Sequence, residues 1–206
     1  MAQWKQTLET AVSLPLQHIS AYSLIVEEGT PMHRWVSEGR VRIPEDDAVN
    51  EMQRMAVHFL AQAGFARYEI SNFARPGRES RHNMCYWQGG DYLGLGSAAH
   101  SLLNGERFSN PTELERYLAG ERMLDRVRLS LQDRREEMLM LSTRTVGGLD
   151  LRKWRLEFGD DLLQTRAKEI RKLENYGLSE IEDEHLRLTT MGLELQDSVV
   201  LELMDE

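Results

Sequence analysis

The sequence predicts an α/β domain over residues 1–110 and a helical, winged-helix-like domain over residues 111–206. A strand–helix–strand succession predicts the first domain, because such units with tight turns build parallel sheets. Several short helices, a hairpin and a closing helix predict the second. We therefore expect a parallel sheet early in the chain and a mainly helical module after it.

The first domain is predicted to contain two helices, two strands and a long loop. A helix is expected over Ala2–Leu14, whose apolar residues recur with helical spacing until Pro15 ends it. The β-forming residues 18–26 predict a short buried strand. The clearest helix runs from Ala48 to Ala63, because its apolar residues fall on one stripe. Residues 65–71 predict the next strand, and a long loop is expected from residue 72 to residue 90.

The second domain is predicted to begin with three helices, over Pro111–Ala119, Asp133–Leu141 and Asp160–Tyr176. A hairpin is expected from residues 178–181 and 186–188, on either side of an acidic turn. Thr189 is a candidate N-cap for a last helix.

Composition excludes several classes of protein. The chain has 206 residues, 41% of them hydrophobic, which is enough to bury a core. Its apolar runs are only a few residues long, so we expect no membrane-spanning segment, and its first residues lack a secretory signal pattern. A net charge of −9 disfavours nucleic acid as a partner, because phosphate binding needs clustered Lys and Arg.

Cys85 is the single cysteine of the chain. One cysteine cannot form an intrachain disulfide, a four-cysteine zinc site or an all-cysteine iron–sulfur cluster. A lone thiol suits a reducing compartment, and the sequence therefore predicts a cytoplasmic protein.

The segment from His82 to Trp87 carries side chains that can bind metals or flat ligands. In one interpretation, Tyr86 and Trp87 are surface aromatics and His82 bonds a backbone carbonyl. In the other, His82 and Cys85 are candidate ligands of a haem iron, and the two aromatics supply apolar surface for the porphyrin. The residue types alone leave both interpretations open.

Residues Gly94–Ala99 match the pattern G-x-G-x-x-A. A dinucleotide site needs this pattern after a strand and at the start of a helix, with an acidic residue about 20 positions further on. Glu113 lies at that distance, but Pro111 and a polar loop intervene. We expect instead that the glycines allow close backbone approach, either to a ligand or to a neighbouring strand.

Four segments occur in an order that resembles the oxygen-independent coproporphyrinogen III oxidase-like family of radical S-adenosylmethionine proteins, namely residues 18–24 with 28–31, 68–74, 82–87 and 92–101. The H-N-x-x-Y-W form of residues 82–87 resembles the HemW-type haem chaperone branch. The segments 144–149 and 188–192 resemble the C-terminal domain of that family.

The resemblance implies the last part of a (β/α)₆ partial TIM-like barrel, followed by the family's C-terminal domain. Full-length members use S-adenosylmethionine and a [4Fe–4S] cluster held by C-x-x-x-C-x-x-C. That motif is absent from these 206 residues. We therefore expect that this chain alone does not cleave S-adenosylmethionine, and whether the parent protein is an enzyme stays open.

The resemblance also implies two sets of site residues. Haem contact falls on the motif residues His82, Asn83, Tyr86 and Trp87, with Cys85 added from its thiolate chemistry and His82 as the iron ligand. Partial S-adenosylmethionine contact falls on Ile25, Gly94, Gly96 and His100, with Ile25 acting through its backbone.

Three functions are compatible with this sequence. The first is part of a haem chaperone, with haem or porphyrin as ligand, haem-acceptor proteins as partners and peripheral membrane contact by the parent protein. The second is part of a coproporphyrinogen III oxidase, and the third an acidic winged-helix interaction module. Because the strand near residues 19–25 would lack a barrel neighbour, we also expect self-association.

Overall fold

The computed structural model describes residues 1–204, so Asp205 and Glu206, the end of the predicted second domain, lie outside the described residues. Its contacts divide the chain into two compact units, Met1–Glu79 and Ser80–Glu206. The division comes earlier in the chain than the predicted boundary after residue 110. The reason is a sheet of the second unit, whose strands lie on both sides of residue 110 and pair with one another.

The first unit contains α1 Ala2–Ser13, β1 His18–Ser20, α2 Pro31–Ser37, α3 Asp46–Gln62, β2 Ala66–Glu69 and β3 Asn72–Ala74. Its sheet has the order β1-β3-β2, and both pairs are antiparallel. Leu8 of α1 and Leu60 of α3 are buried in one cluster with Phe65 and Phe73. The predicted helices α1 and α3 are therefore confirmed, and each contributes to this core.

The predicted parallel sheet is wrong for this unit. The chain turns back after β2, because the buried Glu69 carboxylate accepts hydrogen bonds from the Ser71 N–H and the Asn72 side-chain amide. The returning strand β3 then pairs with both β1 and β2. The predicted strand 18–26 is shorter than expected, since β1 ends at Ser20, opposite the first residue of β3.

The second unit contains fourteen elements within the described residues: α4 Arg81–Trp87, β4 His100–Leu103, β5 Glu106–Ser109, α5 Leu114–Leu118, β6 Leu124–Arg128, α6 Leu131–Ser142, β7 Leu149–Asp150, α7 Leu151–Phe158, α8 Leu162–Thr165, α9 Ala167–Asn175, β8 Ser179–Glu182, β9 His185–Leu188, α10 Thr190–Glu194 and α11 Gln196–Leu203. They include two antiparallel sheets, with the orders β4-β5-β6 and β7-β9-β8. Buried side chains from α6, α7, α9, β9 and α11 fill its interior.

Local sequence signals are sufficient to predict some elements of the second unit and not others. The hairpin β8–β9 is confirmed, and Thr189 caps α10 by accepting a hydrogen bond from the Gly192 N–H at 3.1 Å. The predicted helix over 160–176 is split, because the backbone leaves helical geometry at Arg166 between α8 and α9. The predicted loop over 72–90 contains β3 and α4, and α2 and α7 were not predicted.

Asp150 caps α7, and its loss is expected to destabilise the second unit. One carboxylate oxygen accepts from the backbone N–H groups of Arg152 at 2.8 Å and Lys153 at 3.0 Å. The hydrogen bond from the Lys153 N–H is the main reason why the pKa of Asp150 lies below its ordinary value. We expect Asp150→Ala to lower the free energy of unfolding at pH 7 by about 1 kcal/mol, measured by urea denaturation.

The pH dependence of this effect follows from the direction of the pKa shift. Because the folded pKa is lowered, the stabilisation is complete above the unfolded pKa of about 3.9 and is lost as the pH falls through the folded pKa. The difference between wild type and Asp150→Ala should therefore shrink near pH 3. Asp150→Asn is the matched control, since its amide oxygen can still accept from the same N–H groups. Equal stability of wild type and Asp150→Ala at pH 7 would refute the capping role.

Candidate functional site

The H-N-x-x-Y-W motif lies on the short helix α4, where a loop was predicted. Ser80 caps the helix by accepting a hydrogen bond from the Asn83 N–H at 3.2 Å. The helix ends at Trp87, and the next turn contains Gly89 in the left-handed region with φ of 68°. A serine N-cap followed by aromatic residues four positions apart is the signal that could have predicted this helix.

His82 is exposed on α4 and belongs to a row of aromatic rings. Its imidazole meets the Tyr86 ring edge-on, with centroids 4.8 Å apart. The Tyr86 ring in turn meets Tyr92 at 4.6 Å, again nearly perpendicular. We call His82, Tyr86 and Tyr92 the ring ladder. It restrains an imidazole that solvent and ligands can reach.

Cys85 has a different environment on the same helix. Its thiol donates to the Asp91 carbonyl, with sulfur and oxygen 3.6 Å apart. A Cβ atom on Gly90 would lie 2.7 Å from this sulfur, so the turn after α4 packs closely against the thiol. The hydrogen bond from the Cys85 thiol therefore stabilises the turn that follows α4.

Trp87 is half-buried and lines a cavity. The guanidinium carbon of Arg144 lies 4.8 Å from the centroid of its ring, within cation–π range. Within residues 1–204, the buried indole Nε1 of Trp87 has no hydrogen-bond partner. The side chain therefore presents both flat apolar surface and an unused donor.

The cavity beside Trp87 has a volume of about 310 Å³. This is at the lower end of the range of small-molecule sites, about 300–1,000 Å³. Its apolar lining comes from α4, β4, α6 and the segment before α6: Trp87, Leu102, Leu129, Met138 and Leu141. Its charged lining includes Asp91, Arg128, Arg134, Glu137, Lys153 and Glu157. Of the residues that line this cavity, Trp87 alone was a candidate site residue in the sequence analysis.

The glycine segment after Tyr92 is held by its own neighbours. A Cβ atom on Gly94 would lie 2.2 Å from the His100 carbonyl oxygen. The Asn110 amide donates to the carbonyls of Gly94 and Gly96, at 3.2 and 2.9 Å, and the Gly96 N–H donates to the Tyr117 hydroxyl. The segment does not open a helix, so the geometry of a dinucleotide site is absent from it. Close backbone approach is confirmed at Gly94.

The remaining predicted contacts with S-adenosylmethionine lie in different units. Ile25 is 76% exposed in an irregular segment of the first unit. His100 is exposed at the start of β4 in the second unit, paired with Ser109. Their assignment to that cofactor stays a prediction.

The residues of this chain do not fit a [4Fe–4S] cluster, since Cys85 is its single cysteine. Among the described residues, no three His, Cys, Asp or Glu side chains come together as a metal site. A haem iron is a different case, because one imidazole can serve as its protein ligand, and the exposed His82 has that chemistry. Over residues 1–204, the helices are too short or too polar to cross a membrane.

Comparisons with known proteins agree on one group of relatives. Residues 129–195 match the model of the HemN C-terminal domain. The heme chaperone HemW of Lactococcus lactis is 31% identical over 202 residues, covering 97% of this chain and 53% of that protein. HemW of Bacillus subtilis is 30% identical over 200 residues, covering 95% of this chain and 53% of that protein.

The chain is a relative of the HemW proteins. The resemblance stated from the sequence is therefore confirmed. A mitochondrial protein of Bos taurus, radical S-adenosyl methionine domain-containing protein 1, is 32% identical in an alignment of 218 positions that covers 98% of this chain and 49% of that protein. The chain thus spans about half the length of the curated relatives it matches.

A solved structure shows the same fold. Coproporphyrinogen III oxidase (HemN) from Escherichia coli, a radical SAM enzyme, superimposes with a TM-score of 0.71. The match covers 97% of this chain and 50% of that enzyme, at 16% sequence identity. An α/β fold related to that of the radical SAM proteins is therefore shown for this chain.

Proposed function

We propose that this chain is the haem-handling part of a haem chaperone and that haem binds at α4 through His82. The observation that carries the proposal is the exposed imidazole of His82, restrained by Tyr86 in the ring ladder. A haem ligand needs an accessible ring nitrogen, and an imidazole already restrained loses less entropy on binding. The HemW names of the relatives support this ligand.

The other motif residues take supporting roles in this proposal. Tyr86 and Tyr92 offer apolar ring edges beside the imidazole, suited to contact with a porphyrin. Asn83 and Trp87 complete the haem-contacting set carried over from the motif. Cys85 contributes by fastening the turn after α4, since its thiol already contacts the Asp91 carbonyl.

The remaining assignments extend the same proposal. Haem is the cargo, a haem-acceptor protein in the cytoplasm is the partner, and the parent protein makes peripheral membrane contact. S-adenosylmethionine contact in the longer protein is assigned separately to Ile25 of the first unit and to Gly94, Gly96 and His100 of the second unit. No radical step is assigned to this chain, because it lacks the cysteines that the cluster requires.

We also propose a structural assignment for the first unit and for part of the second unit. From the likeness to HemN, the first unit is assigned to the end of a partial barrel in the longer protein, although its own three strands pair antiparallel. The segment from α6 to β9 forms a winged-helix-like module, because its order of helix, strand, helices and hairpin, with β9 central in the sheet, is typical of such modules. The likeness to HemN favours a second candidate, part of a porphyrinogen oxidase, which would need the cluster from the longer protein.

Removal of the His82 imidazole tests the haem proposal. Hemin added to the wild-type chain is expected to give a shifted, sharpened Soret band, and His82→Ala should weaken hemin binding at least about tenfold, because the iron loses its protein ligand. The measurement is an absorbance titration at micromolar hemin.

His58→Ala is the matched control, because His58 is also exposed on a helix but lies outside the motif. It should bind hemin as the wild type does. The proposal fails if hemin leaves the wild-type spectrum unchanged, or if His82→Ala and the wild type bind hemin equally.

A further inference from the structure

We propose that the cavity beside Trp87 is a separate binding site for an aromatic carboxylate. Its lining shares Trp87 with the proposed haem-contacting set but includes no residue of the ring ladder, so the proposed iron ligand His82 lies outside it. Binding of an aromatic carboxylate here therefore does not require haem binding at His82.

The apolar walls suit a flat ring system. Trp87 contributes an indole, one side of which Arg144 occupies. Met138 and Leu141 come from consecutive turns of α6, and Leu129 precedes that helix. Methionine adapts its shape to aromatic ligands at little cost. A volume of about 310 Å³ accommodates one or two fused rings rather than a large ligand.

The charged lining favours an anion. Each of its carboxylates is already engaged: Glu157 with Arg134 at 2.5 Å, Glu137 with Arg107 at 2.9 Å, and Asp91 with the Asn104 N–H at 3.1 Å. A cationic ligand would have to compete with these contacts. The acidic groups of the cavity are therefore poor candidates for ligand binding.

Among the cations that line the cavity, Lys153 differs in having a neutral hydrogen-bond partner. Its ammonium donates to the Gln88 carbonyl at 2.8 Å, a neutral acceptor. An ammonium has three donors, so further donors can serve a ligand carboxylate. The capping of α7 by Asp150 fixes the turn that carries Lys153. The Gln88 carbonyl is neutral and leaves the positive charge of Lys153 uncompensated. The site thus combines an apolar wall with one cation that can bind a carboxylate.

The Gln88 contact also offers a purely structural role for Lys153, because Gln88 is the C-cap of α4 and a lysine there favours the helix end. A neutral ligand of the same shape separates the two roles. If Lys153 contacts the ligand carboxylate, its replacement weakens binding of the charged ligand alone. If Lys153 instead maintains the geometry of α4, its replacement weakens binding of both the charged and the neutral ligand.

The test uses 2-naphthoic acid as probe and isothermal titration calorimetry of the full chain. We expect the wild type to bind it, and Lys153→Met to bind it about tenfold more weakly, because a charge-assisted hydrogen bond is lost. The neutral 2-naphthamide should bind wild type and Lys153→Met equally. Lys168→Met, at an exposed lysine of α9 outside the cavity, is the matched control and should bind as the wild type does.

A second variant tests the location. Met138→Trp is expected to fill the cavity and abolish binding of both probes. Three results would overturn the proposal: wild type that does not bind 2-naphthoic acid at millimolar concentration, equal binding of the acid by wild type and Lys153→Met, or parallel loss of acid and amide in Lys153→Met.

The aromatic carboxylate can be a free small acid or the propionate-bearing edge of a tetrapyrrole. Displacement of 2-naphthoic acid by hemin, but not by hemin dimethyl ester, would support the tetrapyrrole edge. Absence of displacement by either would support a free acid. Binding of 2-naphthoic acid by a chain that gives no Soret change with hemin would keep this site and refute only the haem proposal.

Discussion

Gly192→Ala is expected to lower the free energy of unfolding of the second unit by about 3 kcal/mol or more. Gly192 is buried in α10, and a Cβ atom there would lie 1.9 Å from the Leu178 carbonyl oxygen and 3.2 Å from the Leu188 Cβ. The Leu178 carbonyl cannot simply move away, because it accepts a hydrogen bond from the Thr189 N–H at 3.1 Å. The clash therefore displaces α10 from the hairpin.

Urea denaturation followed by tryptophan fluorescence measures this effect, since Trp154 is buried in the same unit. Gly147→Ala is the control, because its new Cβ would meet only the Thr145 hydroxyl, at 3.8 Å. That variant should unfold near the wild-type midpoint. Equal urea midpoints for Gly192→Ala and Gly147→Ala would contradict this prediction, because α10 would then have moved without loss of stability.

Phe65→Ala is expected to destabilise the first unit by about 3–5 kcal/mol. Phe65 is fully buried between the end of α3 and the start of β2 and belongs to the cluster that contains Leu8, Leu60 and Phe73. The guanidinium carbon of Arg75 also lies 4.5 Å from its ring centroid. Truncation removes the ring from this core and leaves a cavity among its buried neighbours.

Amide hydrogen exchange locates the effect. Amides of α3 should exchange faster in Phe65→Ala, because their protection depends on this core. Leu156→Ala, at a side chain that is 88% exposed on α7, serves as the control for loss of a large apolar group without loss of burial. Unchanged protection of α3 in Phe65→Ala would contradict the role assigned to this core.

Local sequence patterns predicted the residues of the candidate site but not their arrangement. The motif residues of α4 were singled out from their types and order, but their helical arrangement was not. A helix of seven residues gains little from propensity alone, and α4 depends on the Ser80 cap and on ring contacts with Tyr92. Tyr92 lies outside the helix, so its contact could not be inferred from helical spacing.

Sequence patterns alone predicted the helices α1 and α3, the hairpin β8–β9, the Thr189 cap and the relationship to the HemW proteins. Each of these rests on neighbouring residues or on the order of motifs along the chain. Tertiary structure decided the antiparallel position of β3 between β1 and β2, and it formed the cavity from Trp87, Leu129, Met138 and Lys153. Strand pairing and cavity walls depend on which distant segments pack together, and the periodicity of any single segment carries no information about its partner.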